Sequence, residues 1–158
     1  MDRRRFGIRE HDVAVFERIL IVCMGNVCRS PTAEYLFRQR TKSHHVSFSS
    51  AGLCAPAGSP MDPTALQLLA EDGIDGTKHR ARQLTPLMLR EADLVLGMEK
   101  GQVEAMMQLA PETRGKVYLL DKWLNGNDIP DPYRQQRTAF EYVHEMIAKG
   151  VDSWQLYL

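Results

Sequence analysis

Cysteine is scarce in this chain, three among 158 residues, and the count is odd. That excludes the paired framework of a disulfide-stapled secreted scaffold and fits a reducing compartment. Long apolar runs are absent too. No stretch approaches the roughly 18 residues of a membrane span, and the basic start, MDRRRFGIREHDVAVFER, leads into no apolar core of a secretory leader. A soluble, cytoplasmic protein is therefore expected, with no insertion into a membrane. There is no excess of charge: twenty Lys and Arg balance twenty Asp and Glu. A nucleic-acid coat or an anionic lipid surface as principal partner is disfavoured, and any basic feature must be local. Internal repeats and low-complexity segments are missing as well. What is present is enough apolar material, 44% of residues, for one domain with a sizeable core. Residues 17–158 are assigned to that domain. Residues 1–16 precede the first clear strand and are expected to form a flexible arm.

Apolar, β-branched-rich runs at 18–24, 46–52, 92–98 and 116–121 predict four strands, three of them nearly continuous in apolar character, as in a parallel sheet buried on both faces. Helical patterns lie between them. Ser30, Asp62 and Thr85 each precede a proline, which predicts an N-cap followed by a first-turn proline three times. The first helix is expected from Pro31 through Arg40 with Ala33, Leu36 and Phe37 inward. The second runs from Pro63 to about Asp72, closed by Gly73, and a short third follows Thr85. A fourth covers EKGQVEAMMQLAPE with Val103, Met106, Met107 and Ala110 toward the core. A last one begins near Arg137 and places Phe140, Val143, Ile147, Val151 and Trp154 on one face, with Gly150 as a point where it kinks or shortens. Strands alternating with helices give an α/β three-layer domain, α/β/α, around a four-stranded parallel sheet. With the helical faces turned to the sheet no exposed apolar stripe is left over, so a monomer is expected. The polar stretch KWLNGNDIPDPYRQQ reads as a long loop, and loops of that length are often functional.

The first strand stops at Cys23, and CMGNVCRSP follows. In open parallel sheets ligands sit at the carboxyl ends of strands, near a helix N-terminus. Between Cys23 and Ser30 the chain must turn from strand to helix, which leaves backbone N–H groups lining a small concavity suited to an anion. Gly25 accepts positive φ without steric cost, and Asn26 is among the few other residues that tolerate it. Arg29 adds a planar fork of donors that fits phosphate oxygens. A cysteine at a helix start beside an arginine is placed to react as a thiolate, and Ser30 can donate its hydroxyl to it. A nucleotide-binding P-loop is disfavoured, because the second glycine and the lysine are missing. A zinc site from Cys23, Cys28, His44 and His45 would need non-standard spacing. Nothing here calls for a metal or a cofactor.

These residues carry a resemblance. VCMGNVCRSP resembles the catalytic loop of the low-molecular-weight protein tyrosine phosphatases, DPY at Asp131 to Tyr133 resembles their general-acid loop, and HRARQL from His79 resembles the segment whose histidine supports the catalytic loop. SAGL, DPTA, MEK and IPDPYR are similar to the bacterial subgroup that accompanies tyrosine autokinases of capsule and exopolysaccharide export. The resemblance implies a Rossmann-like phosphatase I fold and metal-independent hydrolysis of phosphotyrosine through a phosphocysteine. It implies that Cys23 attacks phosphorus while Arg29 and the loop N–H groups of Met24, Gly25, Asn26, Val27, Cys28 and Ser30 hold the oxygens. Asp131 would protonate the leaving phenolate and then activate water, Asn26, Ser30 and His79 would support the loop, and Tyr133 would stack on the substrate ring. The partner it implies is a phosphotyrosine protein, a tyrosine autokinase.

Cys28, five residues after Cys23, is either a redox partner that shields the nucleophile through a reversible disulfide or a small packed side chain. Cys54 has no evident partner. Arg134 stands where eukaryotic relatives commonly carry a second aromatic, which leaves substrate preference open. The alternative on the same scaffold is an arsenate reductase, whose internal version needs a downstream cysteine pair; after Cys54 there is none. A module that only captures phosphotyrosine would be expected to lack Cys23, Arg29 or Asp131, and all three are present.

Overall fold

The four apolar runs become β1 (Arg18–Cys23), β2 (Ser47–Gly52), β3 (Leu94–Gly97) and β4 (Val117–Leu119), all parallel, in the order β2-β1-β3-β4. The computed structural model describes residues 16–158; the arm expected over 1–16 lies outside the described residues except for Phe16, which packs partly buried against the core. The sheet is the four-stranded parallel one expected. Its last two strands are shorter than their apolar runs. Just before β3, Asp93 keeps its own N–H on the Arg18 carbonyl while its carboxylate accepts the N–H groups of Glu17 and Arg18, and Lys116 ends a 3-10 turn over Pro111–Lys116.

Alternation along β1 explains why its run is continuous in sequence. Ile19, Ile21 and Cys23 face one layer, and Leu20 and Val22 face the other, all at most 2% exposed. The first layer is α1 (Arg29–Arg40), α2 (Pro63–Glu71) and α5 (Arg137–Trp154), which bring Leu36, Phe37, Leu69, Phe140, Val143 and Ile147 to the sheet. The second is α3 (Pro86–Glu91) and α4 (Lys100–Leu109), which bring Leu89 and Met106. Each such side chain contributes about 1.5–3 kcal/mol relative to exposure. The three-layer α/β/α reading holds. Among the described residues no helix is long and apolar enough to cross a membrane.

Two of the three proline-marked helix starts are built as the sequence implies. Asp62 accepts from the N–H groups of Thr64 and Ala65, and Thr85 from that of Met88. The third is not. α1 begins at Arg29, before Ser30, and its N-cap Cys28 makes no side-chain cap. The Ser30 hydroxyl is committed elsewhere, to the Cys23 thiol and the Asn26 amide. Gly150 does not interrupt α5 either. A Cβ there would stand 2.8 Å from Leu120 Cγ, so glycine is what lets the helix lie against the end of β4.

Candidate active site

Cys23 is the last residue of β1, at the carboxyl edge of the sheet, where the chain leaves β1 toward β2 on one side and β3 lies on the other. The loop from Met24 to Cys28 is held by its carbonyls. Those of Cys23, Met24 and Val27 accept the N–H groups of Leu53, Cys54 and Asp62 at 3.0, 2.9 and 2.9 Å, and that of Cys28 accepts the N–H of Thr32 at 3.2 Å. The Asn26 carbonyl accepts from His79 Nε2 at 2.7 Å, which places the ring proton on that nitrogen. A trans peptide points its N–H opposite to its C=O. The N–H groups of Met24, Gly25, Val27, Cys28 and Arg29 therefore face the concave side, where that of Asn26 already reaches Cys23 Sγ at 3.3 Å.

Of the two residues able to adopt positive φ here, Asn26, at 57°, makes the left-handed turn in this loop, and Gly25 stays outside that region. The asparagine is held from three sides. Its Oδ1 accepts the Arg82 N–H at 2.8 Å, and its Nδ2 donates to Ser30 Oγ and Ser50 Oγ at 2.8 and 2.9 Å. Ser30 Oγ thus accepts from the amide and keeps its own proton for Cys23 Sγ, 3.0 Å away. Ser50 gives its proton to Glu34 Oε1 at 2.6 Å, and Arg38 balances that buried carboxylate at 2.7 Å. Two donors thus converge on the sulfur of a residue that is 2% exposed. The tight contact falls at Gly52: a Cβ there would meet the Met24 carbonyl oxygen at 2.6 Å and the Asn26 nitrogen at 2.9 Å, so β2 carries the loop only with glycine at that position.

Arg29 is 2% exposed. Its Nη1 donates to the Ile129 carbonyl at 2.8 Å and lies 3.3 Å from Glu99, and its Nη2 lies 3.6 Å from Asp131 Oδ2. The long loop expected between β4 and α5 is pinned across its length. Asn127 N–H binds Asp121, Lys100 N–H binds Asp128, and Ile129 N–H binds the Met98 carbonyl. Asp131 Oδ1 accepts the Tyr133 N–H at 3.0 Å, which orients the carboxyl, and the side chain remains 46% exposed, open to substrate. Arg134, in the left-handed region at φ 63°, lays its guanidinium over the Tyr133 ring at 5.3 Å.

These groups share one cleft of about 600 Å³, walled by Met24, Val27, Met61, Pro60 and Tyr133, with Cys23, Arg29 and Asp131 in its lining. All three cysteines are free thiols. Burial, reinforced by the Asp62 carboxylate, pushes the Cys28 thiol up and keeps it protonated, whereas Cys54 lies exposed on the cleft wall. Among the described residues no group of three or more His, Cys, Asp or Glu is placed to hold a metal ion. Every site residue named from the sequence falls in the cleft or in the network behind it. Gly52, Ser50, Glu34, Arg82, Glu99 and Gln102 were not named, although SAGL and MEK contain three of them.

A parallel α/β sheet that ends a strand on a cysteine, inside a ring of N–H groups beside an arginine, defines a protein that grips a tetrahedral oxyanion against a nucleophile. The chain belongs to the low molecular weight phosphotyrosine protein phosphatase family, whose profile matches residues 18–158. It is 43% identical over 140 residues to the low molecular weight protein-tyrosine-phosphatase Wzb of Salmonella typhimurium, covering 89% of this chain and 93% of that one. The solved structure of Vibrio vulnificus Wzb in complex with benzylphosphonate superposes with a TM-score of 0.86 at 39% identity, covering 90% of this chain and 99% of that one. YwlE arginine phosphatase from Geobacillus stearothermophilus also shares the fold, with a TM-score of 0.83 at 31% identity, covering 89% of this chain and 91% of that one.

Proposed function

We propose that this protein is a protein-tyrosine phosphatase that works through a phosphocysteine and without metal. The observation that carries the reading is the Cys23 sulfur, held by the Ser30 hydroxyl at 3.0 Å and the Asn26 N–H at 3.3 Å in a cleft that also presents Arg29 and Asp131. Cys23 attacks phosphorus in line with the departing phenolate. The equatorial oxygens rest on the Arg29 guanidinium and on the inward N–H groups of Met24, Gly25, Val27, Cys28 and Arg29, so the charge is met by fixed donors. Asp131 gives its proton to the phenolate. Water then attacks the phosphorus of the phosphocysteine while Asp131 takes its proton, the S–P bond breaks, and phosphate leaves with the thiolate restored.

The cleft wall favours a phenyl ring over a guanidinium. Met24, Val27, Met61 and Pro60 offer apolar surface, Tyr133 offers a ring to stack on, and Asp62 already accepts two N–H groups at the start of α2. The substrate protein in this reading is a tyrosine autokinase of capsule or exopolysaccharide export, and a cytoplasmic enzyme is part of the same proposal. One comparison tests the proposal: release of phosphate, with and without a chelator, from a phosphotyrosine peptide, a phosphoarginine peptide and a phosphorylated tyrosine autokinase. The expected order is autokinase above phosphotyrosine peptide, with phosphoarginine lowest and the chelator without effect. Faster phosphoarginine turnover would replace the tyrosine reading with the arginine one.

Cys28 belongs to the same proposal as the thiol that rescues an oxidised nucleophile. Peroxide converts the Cys23 thiolate to a sulfenic acid, and the protonated Cys28 thiol attacks that sulfur, its proton leaving with the sulfenic hydroxyl as water while the disulfide forms. Mass spectrometry after mild peroxide treatment is expected to find Cys23 joined to Cys28. Sulfonic acid at Cys23 with Cys28 untouched would assign Cys28 to packing.

A further inference from the structure

The buried Arg29 guanidinium, 2% exposed, faces two carboxylates, Glu99 at 3.3 Å and Asp131 at 3.6 Å. A charge removed from water needs a counter-charge, and the two candidates differ in kind. Asp131 stands on the exposed loop before α5 and, in the proposed reaction, changes protonation in every cycle. Glu99 stands between β3 and α4 and takes no part in proton transfer.

Glu99 is also held in place. Gln102 is 3% exposed, and both ends of its amide are spent on this one corner: Nε2 donates to Glu99 Oε2 at 2.9 Å, and Oε1 accepts the N–H groups of Met98 and Glu99 at 3.1 Å each. The carboxylate oxygen held by Gln102 is the one that faces Arg29. Met98 in turn fastens the acid loop through the Ile129 N–H, and the Ile129 carbonyl receives Arg29 Nη1. One end of the guanidinium is therefore clamped by Glu99 and Ile129. The other is left toward Asp131 and the cleft.

We propose that Glu99, held by Gln102, is a positioning residue that aims Arg29 and offsets its charge, so that the cradle orients a phosphoryl group yet lets inorganic phosphate go. The proposal rests on the phosphatase reading for its purpose. Its first measurement is of phosphate binding and not of turnover. A residue that merely kept Arg29 in place would weaken phosphate binding when altered. A residue that offsets its charge would strengthen it.

The test is the dissociation constant of inorganic phosphate by calorimetry, beside kcat and KM for an aryl phosphate, in wild type, Glu99→Gln and Gln102→Leu, with folding checked by circular dichroism. Glu99→Gln keeps an acceptor for Arg29 and removes the charge. It is expected to bind phosphate about 3- to 10-fold more tightly and to lower kcat and KM together. Gln102→Leu keeps the charge and frees the carboxylate, and is expected to bind phosphate more weakly. Unchanged or weaker binding in Glu99→Gln overturns the charge role, and unchanged binding in Gln102→Leu overturns the positioning role. Wild-type protein that binds phosphate without hydrolysing aryl phosphates would refute the phosphatase reading and leave the binding result intact.

Discussion

Cys23→Ser is expected to abolish hydrolysis of aryl phosphates, by about 10⁴-fold or more, while inorganic phosphate still binds. The two halves of this result have separate causes. A serine hydroxyl placed between the Ser30 oxygen and the Asn26 N–H has the hydrogen bonds that hold the sulfur, but it does not ionise near neutral pH, and the site has no general base aimed at it. Most of the bonds that hold the cradle do not involve the nucleophile. The cradle's N–H groups are set by carbonyl bonds to Leu53, Cys54, Asp62 and Thr32 and by the Asn26 amide bonds to Ser30, Ser50 and Arg82. Steady-state kinetics and phosphate calorimetry on the same preparation check both. Turnover near the wild-type rate would remove Cys23 from the mechanism. Loss of phosphate binding together with turnover would mean that the sulfur itself helps to hold the loop.

How much of this was legible in the sequence follows from how local each feature is. Cys23 and Arg29 could be read directly, because strand, turn and helix start lie within one short segment and the chemistry of a thiol beside an anion cradle depends on that segment alone. Asp131 could not be read that way, since an Asp-Pro pair in a polar stretch is ordinary turn sequence; the resemblance alone marked it, and the fold then brought it to 3.6 Å from Arg29. Ser30 could be read both as a helix cap and as a donor to the thiol, and only the second reading holds, because Ser-Pro looks the same in either case. The choice is made by Asn26, which spends one amide proton on that oxygen. Gly52 and Glu99 matter only through neighbours distant in sequence. The β2 backbone is what brings position 52 within 2.6 Å of the Met24 carbonyl oxygen, and no periodicity records such an approach. The sheet and its helices were legible nearly whole, since burial on two faces leaves a continuous apolar run and burial on one leaves helical spacing. The strand ends were not, because the contacts there come from other segments: the Asp93 carboxylate before β3 receives the N–H groups of Glu17 and Arg18, and the Lys116 ammonium before β4 donates to the Arg90 carbonyl.

Asp131→Asn is expected to separate substrates by their leaving groups. The carboxyl is oriented by the Tyr133 N–H at 3.0 Å, and an asparagine accepts the same bond through its oxygen, so the loop keeps its shape and only the transferable proton is lost. A weakly acidic phenol such as tyrosine departs poorly as the bare anion, and its turnover should fall by about 10²- to 10⁴-fold. A strongly acidic nitrophenol leaves as its anion without a proton, so its phosphate ester should still phosphorylate Cys23 at close to the wild-type rate. The second step is then exposed. With no carboxylate to take a proton from water, the phosphocysteine hydrolyses slowly, and rapid mixing with the nitrophenyl ester should show a burst of one nitrophenol per enzyme followed by a slow steady rate. Equal loss for both leaving groups, with no burst, would take the acid role from Asp131. It would leave that carboxylate as a partner that keeps the Arg29 fork aligned.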